Sequence, residues 1–377
     1  MLQSSVFDTP SDILEAFRER PTRALDPEKE ILIFGAGNFA GALARVLIKR
    51  GCRVRGFIET EPRLREKMGL SIRPWKELKG QDLSCELLLG IFNRGMPLDE
   101  LKAISMGQGF QSPWMPWEFY DWIGEELGWR FWLSPRLNFL EQSERISQGF
   151  DLFEDEESRR NFLRICAFRL GLDESFASFR DEDPQYFNKL TIPFCLEQPV
   201  CFVDCGAYTG DTYRFLQSAD VRISSAYLFE PDPLNFASLI SSIERPSHPV
   251  VCLPLGVSGS YDILRFNSGG GEGASLGLEG DSQIAVVSLD GLLRGISVDF
   301  LKMDIEGAER MALNGAADLI AHSRPTMAIS LYHRQDDLWS LPLLIKSINP
   351  GYKLFIRQHE FNSFDSVLYA VDSGRCK

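Results

Sequence analysis

Short apolar runs alternate with amphipathic stretches along almost the whole chain. Ile31-Leu-Ile-Phe34 leads through a glycine turn into a helical pattern that ends at Arg50 and is closed by Gly51. Arg53 to Ile58, ending at Glu59, predicts a second strand. Glu86 to Phe92 predicts a third, with a helix following from about Leu98 to Met106. From residue 198 the pattern resumes with Val200–Cys205, Ala226–Phe229, Val250–Gly256, Val298–Met303 and Thr326–Leu331. Runs that are mostly apolar, rather than alternating, belong to parallel strands buried on both faces. Tyr352–Arg357 and Ser366–Val371 are joined by a loop with no helix between them, so they are expected to pair antiparallel. Pro254 cannot donate to a ladder, which sends the Val250–Gly256 strand to a sheet edge.

These elements predict an α/β chain of two domains. Residues 1–27 form an N-terminal tail with a helix from Ser11 to Arg20, Ser11 as its N-cap and Pro21 as its stop. A small α/β domain covers 28–125, a helical linker 126–197 (clearest over Ser158–Leu170), and a larger domain 198–377. Within the larger domain, Ile263–Phe266 and Ile284–Val287 predict an extra hairpin. They flank the glycine-rich stretch Ser268–Gly280, which reads as a flexible loop or a moving lid. Trp114, Trp117, Trp122, Trp129 and Trp132 crowd one segment. That density suits a buried seam between domains better than a partner site.

Composition removes several classes of function. A net charge of −13 leaves no basic surplus to neutralise phosphates, so no nucleic-acid partner is expected. No apolar run approaches the length of a membrane span, and the first residues hold no signal-peptide core. The eight cysteines show no Cys-x-x-Cys pair, and Cys201 and Cys205 on one strand would lie roughly 13 Å apart, too far to bridge. A reduced, cytoplasmic protein is expected, with a homo-oligomer left open.

Two glycine turns carry candidate chemistry. Gly35-x-Gly37-x-x-Ala40, opening a helix at Asn38 with Glu59 at the end of the next strand, is the relaxed form of the dinucleotide fingerprint. It reads either as a nucleotide site or as a turn kept for helix–strand packing. The second turn follows Val200–Cys205 as Asp204-x-Gly206-x-x-x-Gly210, with Glu230 ending the next strand. A strand breaking into glycines and a helix brings bare backbone N–H groups near a ligand. An acid at the end of the second strand can accept both ribose hydroxyls of an adenosine ligand.

The second turn resembles the first motif of class I S-adenosylmethionine-dependent methyltransferases. Leu301-Lys-Met-Asp-Ile-Glu-Gly-Ala-Glu309 with Asn314-Gly-Ala316 resembles the signature of the FkbM family, as do Leu331-Tyr-His through Asp337-Leu-Trp339 and Gly351-Tyr to Arg357. The resemblance covers about 198–377. It implies a seven-stranded sheet of order 3-2-1-4-5-7-6 with strand seven antiparallel, behind a smaller Rossmann-like domain. It also implies O-methyl transfer from S-adenosylmethionine to a small-molecule acceptor, a sugar, glycan or secondary metabolite. The cofactor is expected at Asp204, Gly206, Ala207, Gly210, Thr212, Glu230, Gly256, Val257 and Asp304, the last beside its methionine part.

A hydroxyl acceptor needs a base. His333, expected to titrate near its ordinary value, is favoured over Glu306, and His359 is a weaker alternative. Asp304, Glu306 and His333 match no ligand motif, so no metal is expected. Two other classes remain open: a non-catalytic protein that binds nucleotide or S-adenosylmethionine as scaffold or sensor, and a nicotinamide oxidoreductase built on the Gly35–Gly37 motif. The oxidoreductase would need a substrate domain that 198–377 does not resemble.

Overall fold

Burial on both faces makes Ile31–Phe34 the centre of the first sheet: all four residues are buried. The computed structural model describes residues 7–20, 23–26, 28–78, 84–175, 180–219, 221–244, 246–267, 275–276, 282–372 and 374. Its contacts divide the chain into two compact units. One comprises Met1–Ser147, Arg160–Arg180 and Glu360–Phe364; the other comprises Gln148–Arg159, Asp181–His359 and Asp365–Lys377. Residues 126–197 are thus shared between the two. The segment 148–159 joins the second unit through Ser158, whose Oγ accepts the Ile356 N–H at 3.0 Å, and Asp155, which binds Arg357 at 2.6 Å.

In the first unit, five strands lie in the order 66–67, 70–74, 54–59, 31–34, 86–89. Ile31–Phe34 pairs in parallel with Val54–Glu59 on one side and Glu86–Leu89 on the other. The order therefore reverses at the central strand, which opens a crevice at the carboxyl ends of the strands. The helix Asn38–Lys49 packs Phe39, Ala40, Leu43, Ala44 and Leu47 inward. Strands 66–67 and 70–74 had no counterpart in the sequence reading: the first has two residues, and Leu70–Pro74 ends in a proline, which speaks against a strand. The first helix runs Pro10–Arg18, not from Ser11. Thr9 is its N-cap and Asp12 closes a capping box, since proline at the first helical position pushes the cap back by one residue. Trp114, Trp117 and Trp132 are buried within this unit, Trp117 against Phe168 and Trp132 against Phe92, while Trp122 and Trp129 are exposed.

In the second unit, seven strands lie in the order 250–253, 223–229, 200–205, 300–303, 326–330, 366–372, 352–358. The first five of these are parallel, and Ser366–Asp372 runs antiparallel to both of its neighbours. The edge strand stops at Leu253, ahead of Pro254. Beyond the proline, Gly256–Val257 enters a separate four-stranded sheet, pairing with Val286 and Val287. The expected strand to Gly256 is therefore two strands in two sheets. Asp262–Asn267 and Ser282–Val287 form the extra hairpin. Most of Ser268–Gly280, including any lid, lies outside the described residues. No helix among the described residues is long and apolar enough to cross a membrane.

Candidate active site

The parallel strands 200–205, 223–229, 300–303 and 326–330 deliver their carboxyl ends to one edge of the second unit. Asp204 ends the first run but does not face outward. It is wholly buried, and Lys302, its register partner on the neighbouring strand, sits 3.0 Å from its carboxylate. The same ammonium donates to the Gly206 carbonyl at 2.6 Å. Burial raises the Asp204 pKa while Lys302 opposes the shift. The pair fastens the turn from beneath, so Asp204 acts on a ligand only through the turn.

The glycines of that turn answer to the fold. Gly206 has φ +88, and a Cβ there would stand 2.0 Å from the Asp304 carbonyl oxygen. Gly210, with φ +82, would meet Ser242 and Leu239. The expectation of bare N–H groups is corrected: Gly206 and Ala207 both donate to Phe229 O, Gly210 donates to Ala207 O, and Tyr208 donates to Glu230 Oε2 at 2.9 Å. A turn this tight consumes its own donors. Ala207 and Thr212 are buried at the turn and in the first turn of the next helix, and Gly256 lies against Ile284, Val286 and Pro231.

What the turn presents is Glu230. Its Oε1 accepts the Asp232 N–H at 2.9 Å, and burial lifts its pKa to about 7. A carboxylate so desolvated gains from any further donor. The two hydroxyls of a ribose fit that need, so the residues present suit S-adenosylmethionine.

Beyond strand 300–303 the loop turns sharply. Glu306 has φ +54, a left-handed conformation that costs a non-glycine residue energy and concentrates at functional positions. Asp304 accepts the Tyr186 hydroxyl at 2.8 Å and the Tyr332 hydroxyl at 3.1 Å. Burial would raise its pKa, but His333, Lys302 and the Tyr186 hydrogen bond hold it down at about 2. His333 Nδ1 lies 2.8 Å from Glu309 Oε1, and Nε2 lies 3.4 Å from Asp304 and 3.6 Å from Glu306. Glu309 also accepts the Ile305 N–H, which pins the loop.

The structure corrects the expected base. His333 is fully buried, whereas the side chains of Asp304 and Glu306 keep 23% and 16% of their surface. Burial alone would lower the imidazole pKa, but Glu309, Glu306 and Asp304 together raise it to about 10. Three carboxylates around a fully buried ring favour the imidazolium, the form that cannot take a proton from an acceptor. His359 is no substitute: it bonds Tyr369 Oη at 2.8 Å, and burial lowers it to about 4. Asp304, Glu309 and His333 also present donor atoms within 4.8 Å of one another, a set of the type that accepts a divalent cation.

Lys302, Tyr186 and Tyr332 complete the site without having been singled out from the sequence, while Glu309 stood out there as a carboxylate following the Phe300–Met303 strand. For Lys302 a signal was there: a lone charge inside the otherwise apolar strand Phe300–Met303, beside a strand whose only charge is Asp204.

Residues 204–368 match the family model described as the methyltransferase FkbM domain. The fold is similar over 98% of this chain and 95% of the other to the crystal structure of methyltransferase FkbM from Methylobacillus flagellatus KT, with a TM-score of 0.70 at 21% identity. At that identity the likeness speaks to fold alone. No curated protein matches the chain.

Proposed function

With residues 204–368 forming an FkbM-type methyltransferase domain, we propose that the protein moves a methyl group from S-adenosylmethionine to a hydroxyl oxygen of a sugar or secondary metabolite. Glu230 is the observation that carries this reading. It is a buried carboxylate laid against the glycine turn, at the sheet edge that also bears Asp304 and Glu306. Bound there, S-adenosylmethionine supplies an electrophilic methyl on a sulfonium. Glu230 accepts the ribose hydroxyls.

Methyl transfer is an in-line displacement, so the chain's main task is to hold the acceptor oxygen in place. Glu306 is the carboxylate we assign to the acceptor's proton. Asp304 is the weaker base, because two tyrosine hydroxyls and His333 already occupy it and hold its pKa low. His333 is a positioning residue: its positive charge keeps three acids together at one edge. The cluster then holds its own counter-charge, and transfer is expected to need no added metal.

Titration of S-adenosylmethionine into the protein tests the cofactor seat. Ionised Glu230 can accept both ribose hydroxyls, and protonated Glu230 loses an acceptor. Affinity is therefore expected to tighten as pH rises through Glu230's ionisation near 7. Below that point it should fall by up to about tenfold per pH unit. Glu230→Gln should flatten the profile. A pH-independent wild-type affinity would remove Glu230 from the ribose role.

A further inference from the structure

The carboxyl edge of the first unit's sheet opens into a cavity of about 410 Å³, a size suited to a small-molecule ligand. It lies where the strand order reverses, lined by Gly37 and Glu59, by Arg63, and by an apolar wall that includes Phe34, Leu64 and Ile72. We propose that this cavity binds a ribonucleoside 5′-diphosphate, free or as part of a larger molecule, independently of the methyl-transfer site.

The two glycines of the turn differ, and the difference points to a ligand. Gly35 has φ +103 and faces Ile91, whose side chain would lie 2.5 Å from a Cβ, so the fold itself demands glycine there. Gly37 has φ −69, which any residue adopts, and a Cβ on it would meet nothing within 4 Å. Among the described residues, no contact accounts for that glycine. Its bare backbone lines the cavity at the N-terminus of the helix Asn38–Lys49, where the first N–H groups have no intrahelical acceptor. A diphosphate can approach that backbone only if no side chain projects from it.

Charge agrees with this orientation. Lys67 Nζ donates to the carbonyls of Ala36 and Gly37 at 2.7 and 2.8 Å, placing an ammonium on the turn, and Arg63 adds a second cation on a lining that also carries the carboxylates of Glu59 and Glu61. Glu59 sits on the other side of the turn, its Oε1 accepting the Ala36 N–H at 3.2 Å. A carboxylate has room for further donors, and here it takes a ribose diol. The apolar wall receives the base.

Calorimetric titration of the full chain with ADP, GDP, CDP and UDP, and with inorganic diphosphate as control, tests the proposal. At least one nucleoside diphosphate should bind, and bind more tightly than inorganic diphosphate. Gly37→Val and Glu59→Gln should each weaken it by about tenfold or more, the worth of one good hydrogen bond to a charged group. Neither variant should change the titration of S-adenosylmethionine, and both should keep a cooperative melting transition, with Gly37→Val slightly lowered because valine is a poorer N-cap than glycine. UDP-glucose and NAD as further arms distinguish a nucleotide sugar from a dinucleotide as the natural source. Absence of binding by all four diphosphates would overturn the proposal. Equal binding of inorganic diphosphate, unchanged affinity in both variants, or displacement by S-adenosylmethionine would do the same.

Discussion

Replacing Glu306 with glutamine is expected to cut kcat by about 10²- to 10⁴-fold, the usual worth of a general base. The affinity for S-adenosylmethionine should stay nearly unchanged. The side chain keeps part of its surface exposed on a backbone held at φ +54, and the loop is kept rigid by Glu309 and by Arg334, which donates to the Gly307 carbonyl at 2.8 Å. Glutamine keeps the shape and the conformation and removes the capacity to take a proton. Single-turnover rates with saturating cofactor separate this loss from binding. Should Glu306→Gln retain its rate while Asp304→Asn loses it, the base is Asp304. If both stay active, positioning alone carries the reaction.

The second large effect concerns His333, and it is one of stability. Its imidazolium faces Asp304, Glu306 and Glu309, and Asp337 lies close enough to feel its charge. His333→Asn would leave buried acids without their cation, a change that typically costs about 3–5 kcal/mol. The sign of the pH dependence follows from the direction of the shift. The proton is held more tightly in the fold, to about 10, than in an unfolded chain, where histidine titrates near 6.5. The stabilisation is thus complete below about 6.5 and disappears as pH rises through the folded value. Burial also lifts Asp337, to about 8, so its ionisation adds a cost across part of the same range in both wild type and variant. Denaturant unfolding should therefore show a wild-type advantage that is large at neutral pH and shrinks toward pH 10. An advantage that grows with pH, or a difference below about 1 kcal/mol at neutral pH, contradicts the ion cluster.

Apolar runs revealed the strands of the second unit because parallel strands buried on both faces leave a strong local signal. Val200–Cys205 is buried at every position. Pro254 marked the edge for a reason internal to one residue, its missing N–H, although the strand ends just before it rather than running through. Less of the site was legible. Tyr186 lies in a stretch that looked like linker, yet it reaches Asp304 across 118 positions. His333 read alone suggests a group that titrates near neutrality. Its actual state depends on acids brought in by a separate loop, and no spacing within Leu331–Trp339 carries that information. The left-handed turn at Glu306 is likewise a product of what the loop must pack against.

The measurement that bears most directly on the account is methyl transfer itself. The full chain is incubated with methyl-labelled S-adenosylmethionine and a panel of polyhydroxylated acceptors, in the presence of EDTA, and the position of the label is read by mass spectrometry and NMR. We predict label on a hydroxyl oxygen of at least one acceptor, with S-adenosylhomocysteine formed in equal amount. Label on nitrogen or carbon, transfer only after a divalent cation is restored, or cofactor that binds without yielding S-adenosylhomocysteine for any acceptor would contradict it.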